Sequence, residues 1–398
     1  MTFRSPARRL PVVWLIVALL ASALSILMAE RQKEAGLAAD HFRVFVSQMD
    51  PARYPEAKLE IEKAVSLSPG NAYYASSFGL LEERMTGRSF DSRLHQASEL
   101  YLDEQEKLHA AAAIRWYEKA LELNRNDASF HHNLGWLSAF LKENEQALEH
   151  FNKALLLQPN NALYRISRGL FFERSGNHEA LSDYSIAVRL SPGVVDSRFY
   201  SDLHKRMPSA EEEVVGRAIT DLEGLEEADP VLKARLAKLY LYSDRVEALD
   251  LLKQVTVELP NLPRPWLHLG ILYERQREYE EAERCYEKAA FLGGDYSALL
   301  HLGGLHDRAE RTGDAIRCYQ AAINNWRAIS SESARNAPRV YHASDIVADN
   351  IVPRGFLAYV EPDFDLRTTC LRLAELHRSS GNVEQANYYE ALGKRAGL

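Results

Sequence analysis

An alanine that recurs at nearly regular intervals constrains the fold of this chain more than any other feature. It stands at Ala57, Ala113, Ala147, Ala180, Ala218, Ala248, Ala282, Ala315 and Ala386. Six of the eight intervals between these positions lie within four residues of 34. A fixed period of this length is the signature of repeat architectures, in which each unit packs only against its neighbours. The chain of 398 residues is therefore predicted to form an array of about eight or nine units.

The stretch WLHLGILYERQREYEEAERCYEKAA at residues 266–290 represents the content of one unit. Gly270 lets a partner helix approach closely, because glycine has no side chain. Ala282 keeps the contact face of the second helix flat, and Tyr273 and Tyr286 fill the remaining space. This pattern resembles the tetratricopeptide repeat, whose 34-residue unit is two antiparallel helices. We therefore interpret these residues as packing residues and not as an active site.

The resemblance implies an all-α fold, a right-handed superhelical solenoid of helix-turn-helix repeats. Besides Gly270, the glycine position holds Gly79, Gly135, Gly169 and Gly303, with Ala374 as a departure in the last unit. One unit near the middle of the chain has a poor first helix, which we expect to break at Pro208.

Two long intervals between the alanines predict interruptions of the array. The interval from Ala57 to Ala113 exceeds one repeat by 22 residues and predicts an insertion near 86–105. The interval before Ala386 contains residues 336–366, which hold three prolines and lack helical periodicity. The predicted organisation is a short basic cytoplasmic tail at 1–11, a transmembrane signal-anchor at 12–29, the solenoid at 30–335, an irregular apolar insertion at 336–366, and a final repeat with a tail at 367–398.

Residues 12–29 form an uncharged run of 18 residues. At about 1.5 Å per residue, a helix of that length matches the hydrocarbon core of a bilayer. Three arginines precede the run and are expected to stay in the cytoplasm, which places the rest of the chain on the periplasmic or extracellular side of an inner membrane. The alternative is a cleaved signal peptide, with Ala21-Ser22-Ala23 as the cleavage site.

Charge and composition argue against several other kinds of function. The net charge is −8, and Arg4, Arg8 and Arg9 supply +3 ahead of the apolar run, so that the remainder carries −11. This balance argues against nucleic-acid binding. Three cysteines are too few for a disulfide framework. No phosphate loop, nucleophile elbow or H-E-x-x-H motif occurs, and we expect no cofactor or metal. The histidines considered as metal ligands are His109, His131, His132, His301 and His306, which lack the convergent spacing of a zinc site.

An acid and an arginine end the motif that starts at four of the glycines. The pairs are Glu83–Arg84, Glu173–Arg174, Glu274–Arg275 and Asp307–Arg308. They close the first helix of each repeat, which lines the concave face in this family. In a stack of repeats they would form either a ladder of charge that binds a partner, or salt bridges between repeats that only stabilise the array. The sequence leaves both interpretations open.

The remaining groove positions hold apolar or small residues, so the groove is predicted to have an apolar floor and one charged edge. These positions are Ile166, Leu170, Leu267, Ile271, Leu300 and Gly304. The family's Lys/Asn/Arg clamp on a terminal carboxylate is therefore not supported, and an amphipathic helix or extended peptide fits better. The candidate partner-binding residues are Glu83, Arg84, Glu173, Arg174, Leu267, Ile271, Glu274, Arg275, Asp307 and Arg308.

These features predict a membrane-anchored scaffold without enzymatic activity, which binds protein partners outside the cytoplasm of a bacterial-type cell. Residues 351–382, IVPRGFLAYVEPDFDLRTTCLRLAELHRSSGN, resemble repeat ectodomains attached to O-antigen ligase and polymerase-type membrane proteins. That resemblance implies a role in envelope or surface-polysaccharide assembly. The alternative is a glycan-processing enzyme, which needs two opposed carboxylates. It would draw them from Asp345, Asp349, Glu361, Asp363 and Asp365.

The insertion at 336–366 is too apolar for a disordered linker. We expect it to fold back against the last repeats, near Leu300 and Gly304. There it either seals the end of the array or acts as a plug that a partner peptide displaces.

Overall fold

The computed structural model describes residues 10–49, 51–86, 103–225, 229–293, 296–330, 339–340, 347–348 and 366–395. The chain divides into two compact units, residues 1–89 with 99–147 (unit 1) and residues 90–98 with 148–398 (unit 2). Nearly all of the described residues are helical, as the repeat pattern predicts.

Unit 1 contains a long first helix that is followed by shorter ones. The helices are α1 (Leu10–Ser47), α2 (Tyr54–Leu67), α3 (Ala72–Met85), α4 (Glu104–Leu123) and α5 (Ala128–Phe140), with a 3-10 turn at Pro51–Arg53. The C-terminal part of α1 packs on α2 and α3 through Ala38 and Phe45, which are buried. The first helix of the array is thus the end of α1, continuous with the predicted membrane segment.

Helix α6 (Asn144–Leu157) spans the boundary, and unit 2 continues as a series of helical hairpins. Its helices are α7 (Ala162–Arg174), α8 (Glu179–Leu190), α9 (Arg198–Arg206), α10 (Pro208–Glu223), α11 (Pro230–Tyr242), α12 (Ala248–Glu258), α13 (Pro263–Arg275), α14 (Tyr279–Gly293), α15 (Tyr296–Arg308), α16 (Thr312–Ser330), α17 (Leu366–Ser379) and α18 (Val383–Arg395). A 3-10 helix at Pro192–Asp196 precedes α9. Helix α9 is short and ends at Arg206, two residues before Pro208, as the sequence predicts.

The insertion at 336–366 lies mostly outside the described residues. Within it, β1 (Arg339–Val340) and β2 (Val347–Ala348) pair antiparallel, with Arg339 opposite Ala348 and Val340 opposite Val347. The insertion predicted near 86–105 falls largely on residues 87–102, which are also outside the described part. Helix α4 begins directly after it.

The transmembrane helix predicted at 12–29 is not confirmed and stays a prediction. Residues 12–29 belong to α1. In the part of the chain that the structure describes, no helix is long and apolar enough to cross a membrane. The side chains of residues 12–23 lie outside that part.

The same turn joins the first and second helix in most repeats. One residue per turn has a positive φ: Lys142, Gly176, Asp244, Arg277, Glu310 and Gly381. The next backbone N–H bonds back to a carbonyl five residues earlier, as in Glu278 to Tyr273 at 2.8 Å and Arg311 to His306 at 2.9 Å. This is the Schellman arrangement, which ends a helix by a left-handed residue. It reverses the chain at a fixed place, so each second helix starts in the same register relative to its first helix.

All nine repeat alanines are buried, which confirms the register that the sequence predicts. None of the nine is more than 2% exposed. Seven of them lie within the first four residues of a second helix, whereas Ala113 lies midway along α4 and Ala218 lies in the second half of α10. A larger side chain at these buried positions would push the neighbouring helix away.

The glycines face an aromatic ring of the following helix. A Cβ on Gly169 would lie 2.4 Å from the Tyr184 ring, and one on Gly270 would lie 2.6 Å from the Tyr286 ring. Gly79 faces Tyr117 and Gly303 faces Tyr319 in the same way. Real Cβ atoms do not approach that closely, so the ring occupies the space that the missing side chain leaves.

We expect Gly270→Ala to lower the free energy of unfolding by about 1–3 kcal/mol, because the added methyl group overlaps the Tyr286 ring. Gly216→Ala in α10 is the matched control, since nothing lies within 4 Å of that position. There a helical alanine should stabilise the protein by about 0.5–1 kcal/mol. Urea unfolding followed by circular dichroism measures both, and equal midpoints for the two variants would refute the packing role of Gly270.

Candidate functional site

The acid of each acid–arginine pair stands four residues after the glycine, on the same face of the first helix. The tyrosine ring that covers the glycine therefore reaches it with its hydroxyl group. Tyr184 Oη donates to Glu173 at 2.5 Å, and Tyr286 Oη donates to Glu274 at 2.5 Å. The Tyr117 hydroxyl donates to Glu83 at 3.2 Å. Glycine, tyrosine and acid thus form one contact inside a repeat.

An arginine further along the chain binds three of the four acids. Arg206 Nε donates to Glu173 at 2.7 Å. Arg308 donates to Glu274. Arg372 binds both oxygens of Asp307, at 2.7 and 2.8 Å. Bidentate arginine–carboxylate pairs of this kind are the stronger form of ion pair.

The candidate residues therefore meet across repeats and not within the pairs in which the sequence presents them. Glu274 pairs with Arg308, whereas its neighbour Arg275 binds backward to the Leu241 carbonyl at 3.2 Å and to Asp244. Arg84 is half-buried and Arg174 is exposed. Glu274, Asp307 and Arg308 therefore form salt bridges between repeats, as the second interpretation of the ladder has it.

The ladder is asymmetric, because the acids lie inside and the arginines outside. The side chains of Glu274 and Asp307 are 18% and 17% exposed. Their partners Arg308 and Arg372 are 56% and 46% exposed, and Arg275 is 50% exposed. Along α13, α15 and α17 the ladder therefore presents half-exposed guanidinium groups to solvent.

The predicted apolar floor of the groove is only partly present. Leu267 is 2% exposed and Ile166 is fully buried, so both belong to the core and do not line a groove. Ile271 is half-buried and packs on the cluster around Tyr286 and Ala298. Leu267 stands three residues before Gly270, which turns it towards the second helix of its own repeat.

Glu274 has the most strongly bonded carboxylate of the ladder. Burial alone would raise its pKa, but hydrogen bonds from His301, Tyr286 and Arg308 outweigh burial and hold the pKa at about 2. His301 Nδ1 lies 3.2 Å from Glu274 and its ring stacks on Tyr286. The Arg308 guanidinium also lies over the Tyr279 ring. Glu274 therefore joins the repeat of α13–α14 to the repeat of α15–α16, and Glu283 of α14 adds a second link, because Arg311 binds both of its oxygens at 2.8 and 2.6 Å.

The histidines considered as ligands contact different carboxylates. His109 Nδ1 lies 2.7 Å from Glu82, and His306 Nδ1 lies 3.8 Å from Glu283. Among the residues that the structure describes, no three His, Cys, Asp or Glu side chains gather as metal ligands would. Burial lowers the pKa of His132 to about 4, so this imidazole is neutral at physiological pH.

The cysteines are free thiols in the described part of the chain. Burial raises the pKa of Cys285, and likewise that of Cys370, to about 11. A thiol with such a pKa is protonated and unreactive at neutral pH. These side chains pack as small apolar groups.

Sequence reasoning missed the role of the tyrosines, although a signal was present. Where the ring position holds Phe151, which has no hydroxyl group, the position four residues after Gly135 holds Ala139 and not an acid. The acid thus occurs with a tyrosine and is missing with a phenylalanine. This covariation inside one chain points to a hydrogen bond.

The tetratricopeptide repeat family model matches residues 128–161 and 263–293. The chain therefore carries tetratricopeptide repeats. It is 27% identical over 190 residues to BBSome complex member BBS4 of Bos taurus, which covers 46% of this chain and 35% of that protein. It is 29% identical over 148 residues to Protein O-mannosyl-transferase TMTC3 of Homo sapiens, which covers 36% of this chain and 14% of that protein. The chain thus spans about a third or less of the length of these relatives.

Two solved structures resemble the chain at low identity. A tetratricopeptide repeat protein from Parabacteroides merdae is 18% identical, with a TM-score of 0.30 over 65% of this chain and 94% of that one. The Cut9–Hcn1 hetero-tetramer of the APC/C is 14% identical, with a TM-score of 0.31 over 72% of this chain and 51% of that one.

We expect Glu274→Gln to weaken the decrease in the free energy of unfolding that acid pH causes. A carboxylate whose pKa is depressed in the folded state stabilises the fold above its unfolded pKa, near 4.5, and loses that contribution as the pH falls to about 2. Wild type should lose about 1–3 kcal/mol from this group across that window, and the variant should not. Unfolding curves at several pH values measure the difference. Glu280→Gln, at an exposed position of α14, is the control, and a pH profile of Glu274→Gln identical to that of the control would contradict the prediction.

Proposed function

We propose that this protein is a membrane-anchored scaffold that binds a protein partner on the arginine-presenting surface of α13, α15 and α17. The observation that carries the proposal is the asymmetry of the ladder. Its acids are occupied by tyrosine and arginine donors, whereas Arg275, Arg308 and Arg372 keep about half of their surface exposed. Arginine is enriched in protein interfaces because it can stack and donate several hydrogen bonds at once.

The chemistry of this surface favours a partner segment that carries carboxylates. A partner acid can add to the outer face of an arginine that is already paired on its inner face, as Arg372 pairs with both Asp307 and Glu375. Tetratricopeptide repeats act by binding, and an extended array offers a long surface for an elongated partner.

The sequence and the shape of α1 support the anchor. Residues 12–29 carry no charge. Arg4, Arg8 and Arg9 precede the run without an acid between them, whereas Arg31 and Lys33, which follow it, alternate with Glu30 and Glu34. Leu24, Leu27 and Met28, near the end of the run, are each about half exposed in α1. Half-exposed apolar side chains along one helix are suited to lipid. The proposal places the repeats on the periplasmic or extracellular side of a bacterial-type inner membrane.

A role in surface-polysaccharide assembly rests on the resemblance of residues 351–382 to ectodomains of O-antigen ligase-type proteins. The enzymatic alternative rests on Asp345, Asp349, Glu361, Asp363 and Asp365, which lie outside the described residues. TMTC3 is an O-mannosyl-transferase by name, but the match covers 14% of it. No arrangement of paired carboxylates in the described residues favours this alternative over the scaffold.

The anchor predicts that the mature protein keeps its N-terminal residues. Intact-mass measurement of protein extracted from membranes should give the full chain, apart from the initiator methionine, and alkaline carbonate should leave it in the membrane pellet. A product that begins near Leu24 would show a cleaved signal and reject the anchor.

The binding surface predicts site-selective crosslinking in intact cells. A photo-reactive amino acid at Arg275 should give an adduct of discrete mass, and the yield should fall at high salt because the arginines are exposed to screening. The matched control is Arg284 on α14, which is 66% exposed and pairs with Glu281 of its own helix. Adducts of equal yield at both positions, or none at Arg275, would argue against this surface.

A further inference from the structure

Where the first helices of successive repeats meet, which we call a junction, donors of one repeat bind the acid of the repeat before it. Glu274 of α13 accepts hydrogen bonds from His301 and Arg308 of α15. Each residue has a fixed distance from the left-handed residue of its own turn. The acid stands three residues before Arg277, whereas the histidine and the arginine stand nine and two residues before Glu310. We call these places the acid position, the inner donor and the outer donor.

The following junction, between α15 and α17, uses the same places. Asp307 holds the acid position, because it stands three residues before Glu310. Arg372 of α17 binds both of its oxygens, at 2.7 and 2.8 Å. Arg372 is an inner donor, since it stands nine residues before Gly381, the left-handed residue of its turn. Two successive junctions are thus closed by a carboxylate of one repeat and an inner donor of the next.

The junction between α11 and α13 has both donors and lacks the acid. Counted from the left-handed residues of the two turns, His268 is the inner donor and Arg275 is the outer donor. The acid position holds Leu241, which is 2% exposed. Arg275 Nη1 donates instead to the backbone carbonyl oxygen of Leu241 at 3.2 Å. A side chain without oxygen therefore stands where the next two junctions have a carboxylate.

The charged groups that act on His268 are positive. Burial keeps the pKa of His268 well below its usual range, and the nearby cations Lys238 and Arg264 lower it further. The imidazole is therefore neutral at physiological pH and still carries one N–H donor. His301, the inner donor of the next repeat, lies in contrast beside the carboxylate of Glu274.

The two first helices of this junction carry more cations than acids. Their only acid is Glu274, and their cations are Lys233, Arg235, Lys238, Arg264 and Arg275. Lys233 and Lys238 pair with Glu258 and Asp196 of neighbouring elements. The Nε atom of Arg235 is buried, and within the described part of the chain no acceptor bonds to it. In a chain of net charge −8, this local excess of positive charge favours an anionic ligand.

We propose that the junction between α11 and α13 binds a carboxylate of a partner polypeptide through His268 and Arg275, as the next junction binds Glu274 of the chain itself. This inference rests on the proposed function and deepens it, because it locates an acid of the partner on the array. The partner segment that fits carries an Asp or Glu side chain, with Lys238 and Arg264 close to its charge.

Arg275 is the contact that an external carboxylate reaches first. Its side chain is 50% exposed, and its acidic partner Asp244 is 80% exposed. An ion pair as exposed as this one contributes little to stability, so a partner acid competes with it at small cost. The other bond of Arg275, to the Leu241 carbonyl oxygen, has a neutral acceptor, and hydrogen bonds to a charged acceptor are stronger.

Restoring the missing acid within the chain tests the proposal. In Leu241→Glu, the new carboxylate should accept hydrogen bonds from Arg275 and His268, as Glu274 accepts them at the next junction. The occupied junction should then exclude an external carboxylate. Leu241→Gln is the matched variant, because it has nearly the same shape without the charge.

Isothermal titration calorimetry of the purified full-length protein with a blocked hexaglutamate peptide, at low ionic strength, measures the effect. Leu241→Glu should bind the peptide about tenfold or more weakly than Leu241→Gln, because a charged acceptor holds both donors more firmly than a neutral one. Hexaglutamine should not bind to wild type. Glutarate, a free dicarboxylate, should bind more weakly than the peptide.

A second pair of variants avoids the buried position. Arg275→Gln removes the exposed donor and should weaken binding of hexaglutamate by about tenfold. Arg284→Gln is its control, since Arg284 lies on α14 and is 66% exposed, and it should bind as wild type does. Helical circular dichroism of all four variants shows whether a loss of binding is a loss of fold.

Two outcomes would overturn the inference in folded protein. Equal affinities of Leu241→Glu and Leu241→Gln would show that the junction does not hold the carboxylate. Glutarate that binds as tightly as hexaglutamate would assign the junction to a small acid and not to a polypeptide.

Failure of this inference and failure of the proposed function give different results. Binding of hexaglutamate that is lost in Arg308→Gln combined with Arg372→Gln, but not in Leu241→Glu, would keep the proposed surface and reject this site. Binding that is lost in Leu241→Glu and in Arg275→Gln, without any adduct at Arg275 in cells, would support this site and reject the proposed function.

Discussion

The packing of a tyrosine ring on a glycine is the contact on which the rest of this array depends. The ring fits only because Gly169, Gly270 and Gly303 have no side chain. Once it lies there, its hydroxyl group reaches one turn further along the first helix, where an acid accepts it. The acid is then fixed in position and can serve as a rigid acceptor for an arginine of a later repeat. Close helix packing inside one repeat thus fixes the position of the acid that binds an arginine of a later repeat.

In the last repeat, the two positions that the tyrosine and the acid occupy elsewhere are still bridged, although other residue types fill them. There Ala374 replaces the glycine, and Glu390 stands four residues after Ala386, where other repeats have the ring. Without a ring to accommodate, the methyl group of alanine is tolerated. The polarity is reversed as well, since Arg378 takes the position of the acid and binds Glu390 at 2.7 Å. The same pair of positions is bridged, with the charges exchanged.

The parts of the fold that depend on residues close in sequence could be predicted, and the parts that depend on superhelical geometry could not. The buried alanines, the glycine positions and the break at Pro208 follow from spacing along one helical hairpin. The partner of Glu274 does not, because Arg275 is adjacent in sequence whereas Arg308 is 34 residues away and meets it only when two repeats stack. The burial of Leu267 was missed for a similar reason. A position that lines a groove in other members of a family is buried here by the side chains that this chain places around it.

The binding chemistry of the ladder follows from the way in which it stabilises the stack. Glu173 and Glu274 are each used twice, by the tyrosine of their own repeat and by an arginine further along the chain, and this double use draws them inward. The arginine reaches over from the outside and keeps its outer face in solvent. The paired positions carry equal numbers of acids and arginines, yet the surface that they leave is cationic. Net charge is therefore a poor guide to this surface. The chain is acidic overall, yet Glu274 and Asp307 are turned inward, and the exposed acids Asp244 and Glu375 pair with Arg275 and Arg372.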